Sequence, residues 1–159
     1  MLPVTTTSLQ FLSLLCVALV AGTMFGIWRG YDVAGYAPGT FVEVHQGAVR
    51  GLNTLLPLIA LVSLAGMIIL AILARSRGGP LSLYIVAALA IAASGIITRV
   101  INQPINDQIM GWTATTLPAD WAAVRDKWWN WHLARLATTV MAFLLLLAAV
   151  FMDRDTTGV

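Results

Sequence analysis

Charge is what this sequence has least of. Nine Lys and Arg and seven Asp and Glu are spread over 159 residues, 10% of the chain, against 59% hydrophobic residues and a mean hydropathy of +0.85. A soluble domain of this length does not tolerate that balance, so the composition implies an integral membrane protein. The single cysteine, Cys16, excludes an intrachain disulfide, and its place within an apolar run reads as packing. The net charge of +2 comes from scattered arginines without a basic block, which leaves a nucleic-acid partner without support. Neither a Gly-rich nucleotide fingerprint nor a thiolate cluster is present, so flavin or nicotinamide dependence has no basis in the chain.

The missing charges define the fold. Met1 to Trp28, Gly51 to Ala74, Gly78 to Thr98 and Leu136 to Met152 contain no Asp, Glu, Lys or Arg, and a bilayer core needs about 20 apolar residues per helix. Turn residues separate them: Gly30, Gly35, Pro38 and Gly39, then Arg75 to Pro80, then Gly111 to Pro118. The expected class is all-α, a four-helix transmembrane up-and-down bundle forming one domain over 1–159, with helices over about 8–29, 41–74, 80–106 and 119–152. Pro104 is expected to kink or end the third of these. The first segment has no Lys or Arg in its leading residues, and its apolar run is longer than a secretory h-region, so it reads as a retained anchor. The lipid bilayer is then the first partner, and the expected location is the cell (inner) membrane, multi-pass. Small residues such as Gly22, Gly66, Ala87 and Gly95 let helices approach closely, and homo-oligomerisation stays open.

Against this apolar ground a polar layer stands out. Arg50 immediately precedes the second uncharged run, Arg99 follows the third and Arg135 precedes the fourth, so they share one end of the bundle. Asn102 and His132 come one turn further out, then His45, Asn106 and Trp128, while Asn53 sits a turn deeper. On the fourth helix Trp121, Arg125, Trp128, His132, Arg135 and Thr139 alternate spacings of four and three, which keeps them on one stripe. A lipid-facing stripe of that kind is expensive, so it is expected to point into the bundle. The fourth run is only 17 residues long; at 1.5 Å per residue it covers about 25 Å, which puts Arg135 at the lip of the hydrocarbon layer. Arg29 and Lys127 read as snorkelling cations and most of the tryptophans as an interfacial belt. Glu43, Asp107, Asp120 and Asp126 read as charge partners of the arginines.

Ala21-Gly-Thr-Met-Phe25 in the first helix, Asn53 after a polar start to the second, Asn102-Gln-Pro-Ile-Asn106, and a Trp128 to Arg135 segment ending in His-x-x-Arg together resemble the anthrone oxygenase-like family of small membrane proteins. The resemblance covers nearly the whole chain. It implies oxidation of an anthrone to an anthraquinone by molecular oxygen without a cofactor, and it carries over most directly to Asn102, Asn106 and Arg135. The expected partner is then a hydrophobic aromatic small molecule.

The residues suit that chemistry. An anthrone has an acidic benzylic carbon, and the anion left by deprotonation reduces dioxygen unaided. His132 is the expected base, since an imidazole of near-neutral pKa fits the task. Arg135, Arg99, Asn102 and Asn106 are expected to hold the oxyanion, and Trp128, with His45, Arg50 and Asn53, to bind the flat ring system. Two other readings stay open. A metal ion or haem would use His45 and His132 as ligands from facing helices. A non-enzymatic membrane subunit or small transporter would use the same layer as a vestibule.

Overall fold

The computed structural model describes residues 4–156, so residues 1–3 and 157–159 of the expected domain lie outside the described residues. Within them the chain is all-helical. Helix α1 spans Val4–Gly30, α2 Pro38–Leu52, α3 Leu55–Leu73, α4 Gly78–Ile97, α5 Gln103–Met110 and α6 Trp121–Thr156. A π-helical turn over Thr98–Asn102 joins α4 to α5 without a break. Four of these stretches are long and apolar enough to cross a membrane: Val4–Gly30, Leu55–Leu73, Gly78–Met110 and Trp121–Arg154. Helices are what a bilayer permits, since each backbone N–H and C=O must be satisfied within its own segment. The outer surface they present is apolar, with Phe11, Leu58, Ile72, Leu89 and Leu144 among its exposed side chains.

Two prolines reshape the expected helices. The helix expected over 41–74 is two, α2 and α3, separated at Asn53 and Thr54. Pro57 explains the break, because it has no N–H for the carbonyl of Asn53 and its ring crowds that carbonyl. Placed in the first turn of α3, it does no further harm there. Pro104 acts differently: the third helix neither ends at 106 nor breaks, but widens into the π turn, where the Gln103 N–H bonds to Thr98 O five residues back. Such a turn inserts one residue into the helix and rotates the turns beyond it, often beside functional groups. Here it brings Asn102 and Asn106 to face α6.

The core between α1, α3, α4 and α6 is made of small and aliphatic side chains, among them Val17, Met67, Ala87, Ala142, Leu146 and Ala149, all fully buried. At Gly66 an added Cβ would run into Ser13 Oγ, so α1 and α3 are in close approach there. Ser63 Oγ donates to Ser13 O across the same seam at 3.1 Å.

The two ends of the bundle differ. At the end holding the α3–α4 hairpin, Gln10 Nε2 donates to Tyr84 Oη and to Asp153 Oδ2, each at 3.0 Å, and Arg77 Nε pairs with Asp153 Oδ1 at 3.1 Å. This buried knot ties α1, α4 and α6 together. At the other end Val33, Phe41, Val42, Ile105, Ile109, Trp112 and Trp128 form a second core. There Gln46 Nε2 donates to Ile109 O at 3.0 Å and Trp112 O at 2.9 Å, tying α2 to the chain at the end of α5.

Candidate functional site

The stripe on α6 turns inward. Trp128, His132 and Thr139 are buried and Arg135 half-buried, each facing groups of other helices. Trp128 is the centre of the arrangement. Its indole N–H donates to Asn106 Oδ1 at 2.8 Å, its carbonyl accepts from Asn102 Nδ2 at 3.2 Å, and its ring stacks on His132 with centroids 5.2 Å apart. His45 meets the same indole edge-on at 4.7 Å, and the Arg135 guanidinium lies 5.8 Å from the ring centre.

The hydrogen bonds fix the tautomers of both histidines. An indole N–H can only donate, so the Asn106 atom it meets is the carbonyl oxygen. His45 Nε2 lies 3.2 Å from that oxygen and must therefore carry the proton, which leaves Nδ1 with a lone pair and no hydrogen-bond partner. Asn106 Nδ2 donates to Asn53 Oδ1 at 3.4 Å, so the Asn53 amide N–H group is left as an unused donor. For His132 the logic runs the other way. Arg135 only donates, and its Nε and Nη2 reach His132 Nδ1 at 3.3 and 3.1 Å, so the proton sits on Nε2 and goes to Met24 O at 3.1 Å.

Burial keeps His45 neutral. With 1% of its surface exposed, its pKa is pushed from 6.5 down to about 4, mainly by desolvation of the charged form; the nearby Arg135 adds to this and the Asn106 hydrogen bond opposes it.

Beside this network lies a cavity of about 790 Å³, walled by α1, α3 and α4 and closed by α2, α5 and α6. His45, Asn53, Arg99, Asn106, Trp128 and Arg135 line it, together with Leu56, Leu61, Leu64 and Ile91. The expected site residues therefore divide. Arg99 is exposed and forms part of the rim. Asn102 is fully buried behind Trp128 and does not line the cavity. Arg50 corrects its expectation: it sits on the outer face of α2, exposed and away from the lining, because the inward arc of that short helix is taken by Phe41, Val42 and His45. His132 is fully buried and lies outside the lining, with both ring nitrogens engaged by Met24 O and Arg135. Arg77 pairs with Asp153 and Arg125 with Asp126, and among the described residues no carboxylate pairs with Arg135. Asp107 instead accepts from Gln103, and Glu43 and Asp120 are exposed.

Residues outside the expected site set complete it. Met24 supplies the carbonyl that orients His132, and its sulfur accepts from Thr139 at 3.6 Å. Ser94 bonds Thr139 at 2.8 Å and the Arg135 carbonyl at 3.2 Å. Among the described residues no group of three or more His, Cys, Asp or Glu is placed to hold a metal ion, and both ring nitrogens of His132 are engaged.

A four-helix membrane bundle with a polar-ended cavity between its spans is the class of protein that fold and site define. Residues 46–145 match the family model described as anthrone oxygenase, and the chain belongs to that family. The match takes in Asn53, Asn102, Asn106, Trp128, His132 and Arg135, and begins one residue after His45. No curated protein and no solved structure matches the chain.

Proposed function

We propose that the cavity binds a flat phenolic aromatic of the anthrone or hydroquinone type and promotes its oxidation by dioxygen without a cofactor. The observation that carries this reading is that the cavity lining holds both neutral His45, whose buried Nδ1 has no hydrogen-bond partner, and Arg135, which pairs with no carboxylate among the described residues. A base and a cation held around one indole are what is needed to generate and hold an aromatic enolate. Trp128 borders the cavity and holds both imidazoles and the guanidinium around its ring.

In this scheme His45 Nδ1 takes a proton from the benzylic carbon of the anthrone, its lowered basicity offset by the Arg135 charge that stabilises the anion formed. The charge moves to the ring oxygen, held by Arg135 and the unused amide donor of Asn53. The electron-rich anion reduces dioxygen and is oxidised, forming a carbon–oxygen bond at that same carbon, and the peroxide is protonated. Loss of the remaining C–H proton and cleavage of the O–O bond then leave the carbonyl and one water. One dioxygen is consumed per anthrone, one oxygen atom entering the quinone and the other leaving as water. A hydroquinone would instead give up two electrons and two protons, reducing dioxygen to hydrogen peroxide. His132 has a separate part: its Nδ1 holds Arg135 in register, making it a positioning residue.

Oxygen uptake by the purified protein with a panel of anthrones and hydroquinones tests the reading. Uptake that is protein-dependent and lost in His45→Gln supports it. Binding of these compounds without any acceleration of oxygen uptake overturns it in favour of a vestibule.

A further inference from the structure

The cavity is long, polar at one end and open on its side. Its lining runs from Asn53 along α3 to Leu64, and from Gln103 through the π turn back along α4 to Ile91, a length of about 17 Å at 1.5 Å per residue. The polar groups gather at the Asn53, Arg99 and Asn106 end, and Ala60, Leu61, Leu64, Ile91 and Ala92 line the other, towards the middle of the membrane-crossing segments. Leu58, Leu61, Ile96 and Val100 line the cavity and yet are 57%, 58%, 62% and 65% exposed. A side chain that borders a cavity and is also open to the outside of a membrane-crossing helix marks a gap in the wall. Gly95 lies in that gap, and a Cβ built there meets no atom within 4 Å.

We infer that the natural ligand is a membrane-borne amphiphile, a phenolic aromatic head carrying an alkyl chain, which reaches the site sideways from the bilayer between α3 and α4. The head is held at the His45 and Arg135 end, and the chain lies along Leu61 and Ile91 and leaves through the gap at Gly95 and Ile96. The volume supports a ligand larger than a bare fused-ring compound, since it falls in the upper part of the ~300–1,000 Å³ range of small-molecule sites. A chain moving from lipid into an apolar cavity gains little free energy, because the tails are as apolar as the wall. The chain therefore serves access and orientation rather than affinity. This inference rests on the reading of the cavity as the oxidation site.

The test compares an unsubstituted hydroquinone with its decyl and hexadecyl derivatives, in nanodiscs, at equal mole fraction in the bilayer. Oxygen uptake gives turnover, and the rise in Tm by far-UV circular dichroism gives binding without turnover. The native protein should accept all three heads. Gly95→Phe, which fills the gap, should lower turnover and Tm rise for the long-chain compounds at least ~10-fold more than for the tailless one; Ile96→Trp repeats the block from the neighbouring position should Gly95→Phe fail to fold. Rejection of the long chains by the native protein, or an equal loss for all three in the blocked variants, overturns the inference. Chain-dependent binding without turnover keeps it and removes the oxidation. Turnover of the tailless compound alone does the reverse, and no binding by any head overturns both.

Discussion

His132 Nδ1 accepts two hydrogen bonds from Arg135, at 3.3 Å from Nε and 3.1 Å from Nη2, so the imidazole clamps the guanidinium one turn away on the same helix. A long cationic side chain at the edge of the hydrocarbon layer would otherwise snorkel outward, and the clamp holds it at the cavity wall. The pair is therefore arranged in two layers: Arg135 faces the cavity and His132 faces Arg135.

That arrangement predicts unequal mutants. His45→Gln should lower kcat/KM by about 10² or more, the usual contribution of a positioned base. His132→Gln should lower it only ~10-fold, with the acid limb of the pH profile unmoved. Arg135→Lys should cost about 10², because a point charge does not reproduce the planar fork. Steady-state oxygen uptake across pH for the three variants separates the roles; an acid limb that shifts in His132→Gln while staying put in His45→Gln would reverse the assignment.

The pH dependence comes from the burial of His45, whose pKa stands at about 4 in the fold against 6.5 when free. The imidazole is neutral above that value, so kcat/KM should stay flat as pH falls to about 5 and drop with a midpoint near 4. Stability moves the same way. The unfolded chain binds the proton first, so the contribution of His45 is complete above 6.5 and lost as pH falls through about 4, an effect of about 3 kcal/mol. Denaturation at a series of pH values, native against His45→Gln, measures it as the difference between the two slopes. A midpoint of activity near 6.5 would show that the working imidazole is a hydrated one.

The spans were legible because a bilayer writes itself into a sequence as missing charge, and the stripe from Trp121 to Thr139 because its spacing matches the helical period. Pro57 was equally visible, but it lies inside an uncharged run, and hydropathy does not register a break that leaves both flanks apolar. Pro104 announced a disturbance without its kind, since a kink, an end and a π turn differ only in where the next N–H finds a carbonyl. The roles of the histidines were out of reach for a further reason. Which nitrogen carries the proton depends on Asn106 and Trp128 for His45, and on Met24 O and Arg135 for His132, and these partners meet only after packing. Arg50 shares the register of Arg99 and Arg135, but level along the membrane says nothing of direction around the helix.

Trp128 makes the tautomer of His45 testable. Trp128→Phe keeps the ring against both imidazoles but removes the N–H that fixes the Asn106 amide, so the amide is free to turn and His45 to carry its proton on either nitrogen. Turnover should fall by about 10-fold, and stability by ~1–2 kcal/mol for the lost buried hydrogen bond. Nitrogen-15 NMR of labelled imidazoles should show one tautomer of His45 in the native protein and a mixture in the variant. A mixture already present in the native protein would remove the free Nδ1 on which the base depends.

The knot at the far end supplies the structural control. Asp153 is 1% exposed and takes hydrogen bonds or charge from Gln10 and Arg77, residues brought together only by the closed bundle. Asp153→Ala leaves the Gln10 amide and the Tyr84 hydroxyl without that acceptor in a buried setting, whereas Arg77 is 22% exposed and recovers part of its loss from water. The expected cost is about 1–3 kcal/mol, in the range for hydrogen bonds to a charged group, read as earlier unfolding in mixed micelles. Gln10→Leu, which removes a donor and leaves Asp153 with its arginine, should cost less. Since the knot lies at the opposite end from His45 and Arg135, kcat/KM at a temperature where the variant is folded should remain within about two-fold of the native value, as for distant and independent sites. A large loss of activity in folded Asp153→Ala would mean that the two ends of the bundle are coupled.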